Sequence, residues 1–260
     1  MQGAKPMTPI LQSTLLFIFV CSVCAQSLPP SKPDGFVYGT HLIDRDSILI
    51  EAFLDPVCPD SRDAWPPLKQ VLEHYGSRVR LVVHLLPLPY HDHAFVSSRA
   101  IHIVNNLNSS ATFKMLEWFF KHQEKFYNAQ TRNLSRNFVV NEIVKSAAKV
   151  LGRSYYGAVE SGFNDRKTDL KTRVSFKFSA LRGVYGTPTF FINGFVLPDA
   201  GNSVDFSGWK TILDQLIDKK RPKEENLHFF LDLVAWEFGF VLERVKLFLL
   251  FDIVVKFSDM

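Results

Sequence analysis

Gly186-Thr187-Pro188-Thr189-Phe190-Phe191-Ile192-Asn193-Gly194 is the stretch on which the fold turns. Proline has no N–H for a strand ladder, so Pro188 fits only the start of a strand. Thr189-Phe190-Phe191-Ile192 is short, aromatic and β-branched, as a buried strand is. Asn193-Gly194 is a strong short hairpin signal, and Phe195-Val196-Leu197 is the returning strand. A cis bond before proline is uncommon and belongs to tight turns, so Thr187–Pro188 is a candidate. On the C-terminal side, Asp205 or Ser207 can cap a last helix with Trp209, Ile212, Leu213, Leu216 and Ile217 apolar. On the N-terminal side, Asp165 is a plausible cap for a long helix carrying Leu170, Val174 and Leu181 as its apolar positions.

Further upstream the period changes. Residues 47–54 are a buried-strand candidate that stops at Asp55-Pro56. A helix pattern follows with Leu68, Val71 and Leu72 on one face, ending at Gly76. Residues 78–86 alternate and read as a second strand. These form a β-α-β unit with Cys58 at the strand-to-helix turn. Residues 93–181 are helical by period, with Gly152 as a helix end. The order is β-α-β, a helical block, then β-β-α, with no internal repeat. The expected class is α/β, a mixed sheet flanked by helices, with a helical insertion at about 93–181.

Cys58 is the centre of chemical interest. The thiolate is the nucleophile, and a helix N-terminus favours it through unpaired N–H groups and the dipole. Pro59 suits the first helical turn, and Ser61 is placed to donate to the sulfur, whereas Asp60 opposes the thiolate. The flanking Asp, Pro and Ser mark an exposed turn. A free cysteine also packs as a small hydrophobe, so an inert buried thiol stays open on this residue alone.

Asp55-Pro56-Val57-Cys58-Pro59-Asp60-Ser61 after a strand, with Gly-Thr-Pro-Thr-Phe-Phe-Ile-Asn-Gly downstream, resembles the thioredoxin superfamily. The helical insertion makes it more similar to the DsbA-like branch, and Pro87-Leu88-Pro89-Tyr90-His91 resembles the segment entering that branch's insertion. The resemblance spans about 36–220. It implies a thioredoxin-like fold in which Thr187-cis-Pro188 packs beside Cys58. Cys58 would be the attacking thiol, with Ser61 beside it. Pro59, Thr187 and Pro188 would form the substrate-binding edge, the Thr187 backbone pairing with an extended peptide. Two departures stand out. The second cysteine is replaced by Ser61, giving C-x-x-S. The strand position six residues before the cysteine, often a buried acid in relatives, is Ala52; Glu51 is one residue off and faces the other way.

The N-terminus reads as an address. Residues 1–25 have Lys5 in the n-region, an apolar centre at Leu15-Leu16-Phe17-Ile18-Phe19-Val20, and Val23-Cys24-Ala25 before a cleavage point. Cys21 and Cys24 would leave with this signal peptide, so the mature chain keeps one cysteine, Cys58, and no internal disulfide. Two sequons, Asn108-Ser109-Ser110 and Asn133-Leu134-Ser135, make Asn108 and Asn133 the expected glycosylation sites. The expected location is the secretory pathway, in the ER lumen or outside the cell. Residues 26–35 form a turn-rich tail, 36–221 the thioredoxin-like domain, and 222–260 a Phe-rich tail of no assigned role or membrane contact.

Counting thiols sets the expected chemistry. Exchange runs through a mixed disulfide, and a lone cysteine cannot resolve that intermediate itself. It can shuffle disulfides when another thiol resolves it, exchange with glutathione, or hold a client covalently. The expected partners are therefore cysteine-containing proteins or glutathione. The alternative is a non-catalytic peptide-binding or chaperone-like module using the groove beside Pro188.

Composition excludes several other classes. Apolar residues are 47% and charged residues 22% of the chain, ordinary for a globular protein and not for a disordered one, a collagen or a coiled coil. After residue 25 no uncharged apolar run approaches the ~18 residues of a membrane span. The net charge of +4 is interspersed, so no nucleic-acid partner is expected. His91-Asp92-His93 has no second ligand cluster, so no metal is expected, and His91 is read as capping or lining the active-site face. No G-x-S-x-G elbow occurs, which disfavours a serine hydrolase, and no G-x-G-x-x-G or P-loop occurs, so no cofactor is expected either.

Overall fold

The computed structural model describes residues 30–39, 47–198 and 202–219. The expected signal peptide at 1–25, with Cys21 and Cys24, and the Phe-rich tail at 222–260 lie outside the described residues. The chain divides into Met1–Gly35 and Phe36–Met260. Of the first unit, residues 30–35 form bends with no helix or strand.

The second unit is built on a five-stranded sheet in the order β1-β3-β2-β4-β5. Its strands are β1 (Phe36–Val37), β2 (Ile48–Leu54), β3 (Val79–Leu85), β4 (Thr189–Ile192) and β5 (Phe195–Val196). β2 and β3 are parallel; β1, β4 and β5 each run antiparallel to their neighbour. The mixed sheet with helices around it is the α/β, thioredoxin-like architecture expected. β1 is an addition, too short at two residues to leave a periodic signal.

Helix α1 (Pro59–Tyr75) joins β2 to β3, as parallel strands require. Between β3 and β4 lie α2 (Ala94–Leu107), α3 (Thr112–His122), the short α4 (Asn128–Thr131), α5 (Arg136–Leu151), α6 (Tyr156–Asn164) and α7 (Arg166–Leu181). Helix α8 (Phe206–Lys219) closes the described fold. Asp205 caps it, accepting from the Gly208 N–H at 2.7 Å. Trp209 and Leu213 are fully buried, and the Trp209 ring stands edge-on to Phe190 at 5.0 Å.

Two expectations about faces are corrected. Strand β3 is buried along its whole length, Arg80 and His84 included, rather than alternating. A strand in the middle of a sheet covered on both faces has no solvent side. Helix α7 buries Thr168, Thr172, Ser175 and Ser179, while Leu170 and Leu181 are 57% and 88% exposed. The Thr172 and Ser179 hydroxyls bond back to the carbonyls one turn earlier, and Ser175 pairs with His102 of α2 at 3.1 Å, so this polar face is satisfied partly within the helix and partly by its packing. Small side chains there let α7 lie close to α2, and Arg99 of α2 binds Thr168 Oγ1 and the Asp165 carbonyl.

Candidate active site around Cys58

β2 delivers its last residue, Leu54, into a turn made by Asp55. Asp55 Oδ1 accepts from the Val57 N–H at 2.9 Å, and its carbonyl accepts from the Cys58 N–H at 3.1 Å. Two bonds from one residue fold the chain so that Cys58 becomes the N-cap of α1 and Pro59 its first helical residue. The Thr187–Pro188 bond is cis. It brings the Thr187 carbonyl to 3.4 Å from Cys58 Sγ, which donates to it. Cys58, Pro59, Ser61, Thr187 and Pro188 therefore share one corner of the sheet, contributed by the β2–α1 turn and the segment entering β4.

The sequence-based picture of this corner needs three corrections. The turn is exposed only in part: Asp60 is exposed and Pro59 half-buried, but Cys58 is 3% exposed, and Asp55 and Ser61 are fully buried. The Ser61 hydroxyl oxygen accepts from the Asp55 N–H at 3.2 Å, so Ser61 braces the turn, and the sulfur is turned to Thr187 instead. Nor is the corner without a buried acid. Ala52 faces the main core, but Asp55, three residues before the cysteine, lies beneath the turn.

Asp55 Oδ2 takes two further partners, the Leu88 N–H at 3.0 Å and His91 Nδ1 at 2.8 Å. His91 thus lines this corner. Gln123, just beyond α3, is 1% exposed and donates from Nε2 to the carbonyls of Pro56 at 3.3 Å and Cys58 at 3.1 Å. The Tyr127 hydroxyl donates to Gln123 Oε1 at 2.7 Å and fixes which way the amide points. Burial pushes the ionisation of that tyrosine up, keeping it a donor. The insertion thereby holds the cysteine turn by its backbone. Sequence reasoning singles out neither Asp55 nor Gln123. The Asp-Pro pair before the cysteine is a signal for the first, and an isolated glutamine offers none for the second.

A cavity of about 180 Å³ opens beside the turn, lined by Val57, Pro59, His91, Phe126, Tyr127 and Asn128. His93 is buried, and burial pushes its ionisation down. No cluster of three or more His, Cys, Asp or Glu able to hold a metal occurs among the described residues. Asn108 and Asn133 lie elsewhere, both exposed, the first in the turn before α3 and the second before α5.

A family profile described as thioredoxin matches residues 46–215. No curated protein sequence matches the chain. Among solved structures, a proposed protein-disulfide isomerase of Pseudomonas syringae shares 23% identity with a TM-score of 0.57, covering 69% of this chain and 97% of that one. Wolbachia pipientis alpha-DsbA1, as a variant with cysteines replaced by alanine, shares 17% identity with a TM-score of 0.55, covering 74% and 94%. Pseudomonas aeruginosa DsbA2 shares 17% identity with a TM-score of 0.53, covering 75% and 100%. At these identities the likeness is one of fold.

Proposed function

Since the chain belongs to the thioredoxin family, we propose that it is a single-thiol disulfide-exchange protein of the secretory pathway, acting through Cys58. The observation that carries this reading is the position of Cys58 Sγ, at a helix N-terminus and 3.4 Å from the carbonyl preceding Pro188. The Cys58 thiolate attacks one sulfur of a client disulfide, a Cys58–client disulfide forms, and the other client sulfur leaves as thiolate. Ser61 cannot resolve that bond, so a second thiol must attack it and release Cys58. Clients are cysteine-containing proteins, with glutathione as the small-molecule counterpart. Pro59, Thr187 and Pro188 form the edge along which a client strand lies.

The signal peptide at 1–25 and glycans on Asn108 and Asn133 belong to this reading. Both asparagines are exposed. The Ser110 hydroxyl of the first sequon donates to Asn108 Oδ1 at 2.7 Å.

The test is trapping of mixed disulfides on Cys58 in the secretory pathway, with Cys58→Ser as control. Client adducts that vanish in the control support exchange. The 3% exposure of Cys58 favours a second reading, a peptide-binding module without turnover. Client capture that persists in Cys58→Ser selects it.

A further inference from the structure

Release of the mixed disulfide is the step that C-x-x-S chemistry leaves without an agent. The releasing thiol must attack as thiolate, yet a cysteinyl thiol with a pKa of ~8.5 is mostly protonated at neutral pH. A base near the cysteine turn raises the share of thiol that can attack, and the fold places one there. His91 lines the cavity beside the cysteine turn together with Val57 and Pro59, the two residues that flank Cys58. Its ring is 22% exposed, so it is reachable from solvent. The carboxylate of Asp55 holds Nδ1 at 2.8 Å and is itself completely buried. The Val57 and Leu88 N–H groups also bind that carboxylate, so it cannot turn away. Facing a carboxylate, Nδ1 is the donor, and in the neutral ring Nε2 then carries the lone pair. Tyr90 stands edge-on to the imidazole at 4.9 Å, and Tyr127 lines the same cavity. Asp55, Cys58 and Asp60 act electrostatically on Tyr90, and Arg62, Glu124, Cys58 and Asp63 on Tyr127. A buried acid orienting an imidazole beside a cysteine is the arrangement by which thiols and hydroxyls are deprotonated elsewhere.

We propose that the cavity beside Cys58 receives the releasing thiol and that His91, oriented by Asp55, takes its proton. The proposal rests on Cys58 being the exchange nucleophile. The thiol R″SH gives its proton to His91 Nε2, and its sulfur attacks the client sulfur bonded to Cys58. The Cys58–S bond breaks, a client–R″ disulfide forms, and Cys58 leaves as thiolate. The imidazolium returns the proton to the thiolate that left in the first attack. Disulfides and thiols are conserved in number, so no outside oxidant or reductant is required.

The experiment starts from a Cys58–peptide disulfide, made by treating the full chain with a peptide activated as a thiopyridyl disulfide. Release is then timed from pH 6 to 9, with glutathione in one arm and a cysteine-containing peptide in the other. In the arm that holds the true releasing thiol, the wild-type rate should level off below the thiol's own ionisation. His91→Gln should there fall with thiolate concentration, about tenfold per pH unit, and be at least tenfold slower near pH 7. Imidazole should restore His91→Ala, filling the vacated space with the missing base. Should the variants not fold, the wild-type profile decides alone. A wild-type rate that climbs tenfold per pH unit from 6 to 8.5 in both arms overturns the proposal, as does a His91→Gln loss of equal size at every pH. A chain on which no mixed disulfide forms refutes the exchange reading itself, and this inference with it.

Discussion

At the scale of single residues, the cysteine turn is shaped more by its buried partners than by its thiol. Ser61 stands where a second cysteine would resolve the intermediate, and its hydroxyl is committed to the Asp55 N–H. Ser61→Cys should lose that acceptor at a cost of about 1 kcal/mol. It should gain a reducible pair with Cys58 and turn over a reduced dithiol peptide, which wild type should not do. Turnover assays on both proteins check this; a disulfide without turnover would make the groove or Ala52 the limit and favour the binding-module reading. Gln123 tests the other side of the turn. Gln123→Met keeps the volume but takes the Gln123 donor from the Pro56 carbonyl and the acceptor from the Tyr127 hydroxyl, while the Cys58 carbonyl keeps the Arg62 N–H at 3.1 Å. Denaturant unfolding should show a loss of about 1–3 kcal/mol, the cost of polar groups left unpaired in the interior. Cys58 and Pro188 are legible in the sequence because each sits in a compact motif. Asp55–His91 and Gln123–Cys58 are not, because these pairs lie 36 and 65 residues apart: the first meets only once β2 and β3 have paired, the second only after the insertion has folded back.

Among the elements, the hairpin is legible in the sequence and the buried face of the long helix α7 is not, for one physical reason. Asn193 and Gly194 sit at φ of 50° and 85°, backbone angles that those residue types announce locally. Which face of α7 is buried depends on α2, and a face of hydroxyl residues, bonded within their own segment or, for Ser175, to His102 of α2, offers no hydrophobic stripe to read. The same packing explains Gly162 on α6. A methyl group there would lie 2.7 Å from Ile103 Cγ2 and 3.0 Å from its Cγ1, and Ile103 is 1% exposed with nowhere to move. Gly162→Ala gains up to ~1 kcal/mol in helix propensity, but overpacking of this kind costs about 1–3 kcal/mol. The variant should therefore be less stable by about 1 kcal/mol. Combined with Ile103→Ala, it should cost clearly less than the sum of the two single changes. Thermal or denaturant unfolding of the full double-mutant cycle measures that coupling.

Across the whole molecule, the insertion is joined to the sheet at two depths. Gln123 grips the turn at the end of β2, and Arg182, just past α7, reaches Glu51 in the strand's middle. Both Arg182 terminal nitrogens lie 3.1 Å from the two Glu51 oxygens, and its guanidinium lies over the Phe191 ring at 4.6 Å. His84 of β3 approaches the same carboxylate at 3.5 Å, its ring stacked against both Phe53 and Phe178. The hydrogen bond from His84 is the largest influence on Glu51; burial opposes it, Arg182 adds to it, and the carboxyl is held below its ordinary range. A carboxyl whose folded pKa is depressed releases its proton more readily in the native state. Its contribution to stability is therefore complete above the unfolded pKa of about 4.3 and is lost as pH falls through the folded value. Glu51→Gln cannot titrate. It should be less stable than wild type at pH 7, because Arg182 and His84 then face a neutral amide, and the gap should narrow as the pH drops below about 4.5. Other lowered carboxyls, those of Asp63 and Asp214 among them, titrate in both proteins and cancel in the difference. Denaturant unfolding of the two proteins from pH 3 to 7 provides the measurement. A gap that stays constant over that range would mean that Glu51 holds the insertion by shape and hydrogen bonding alone, with no contribution from its charge.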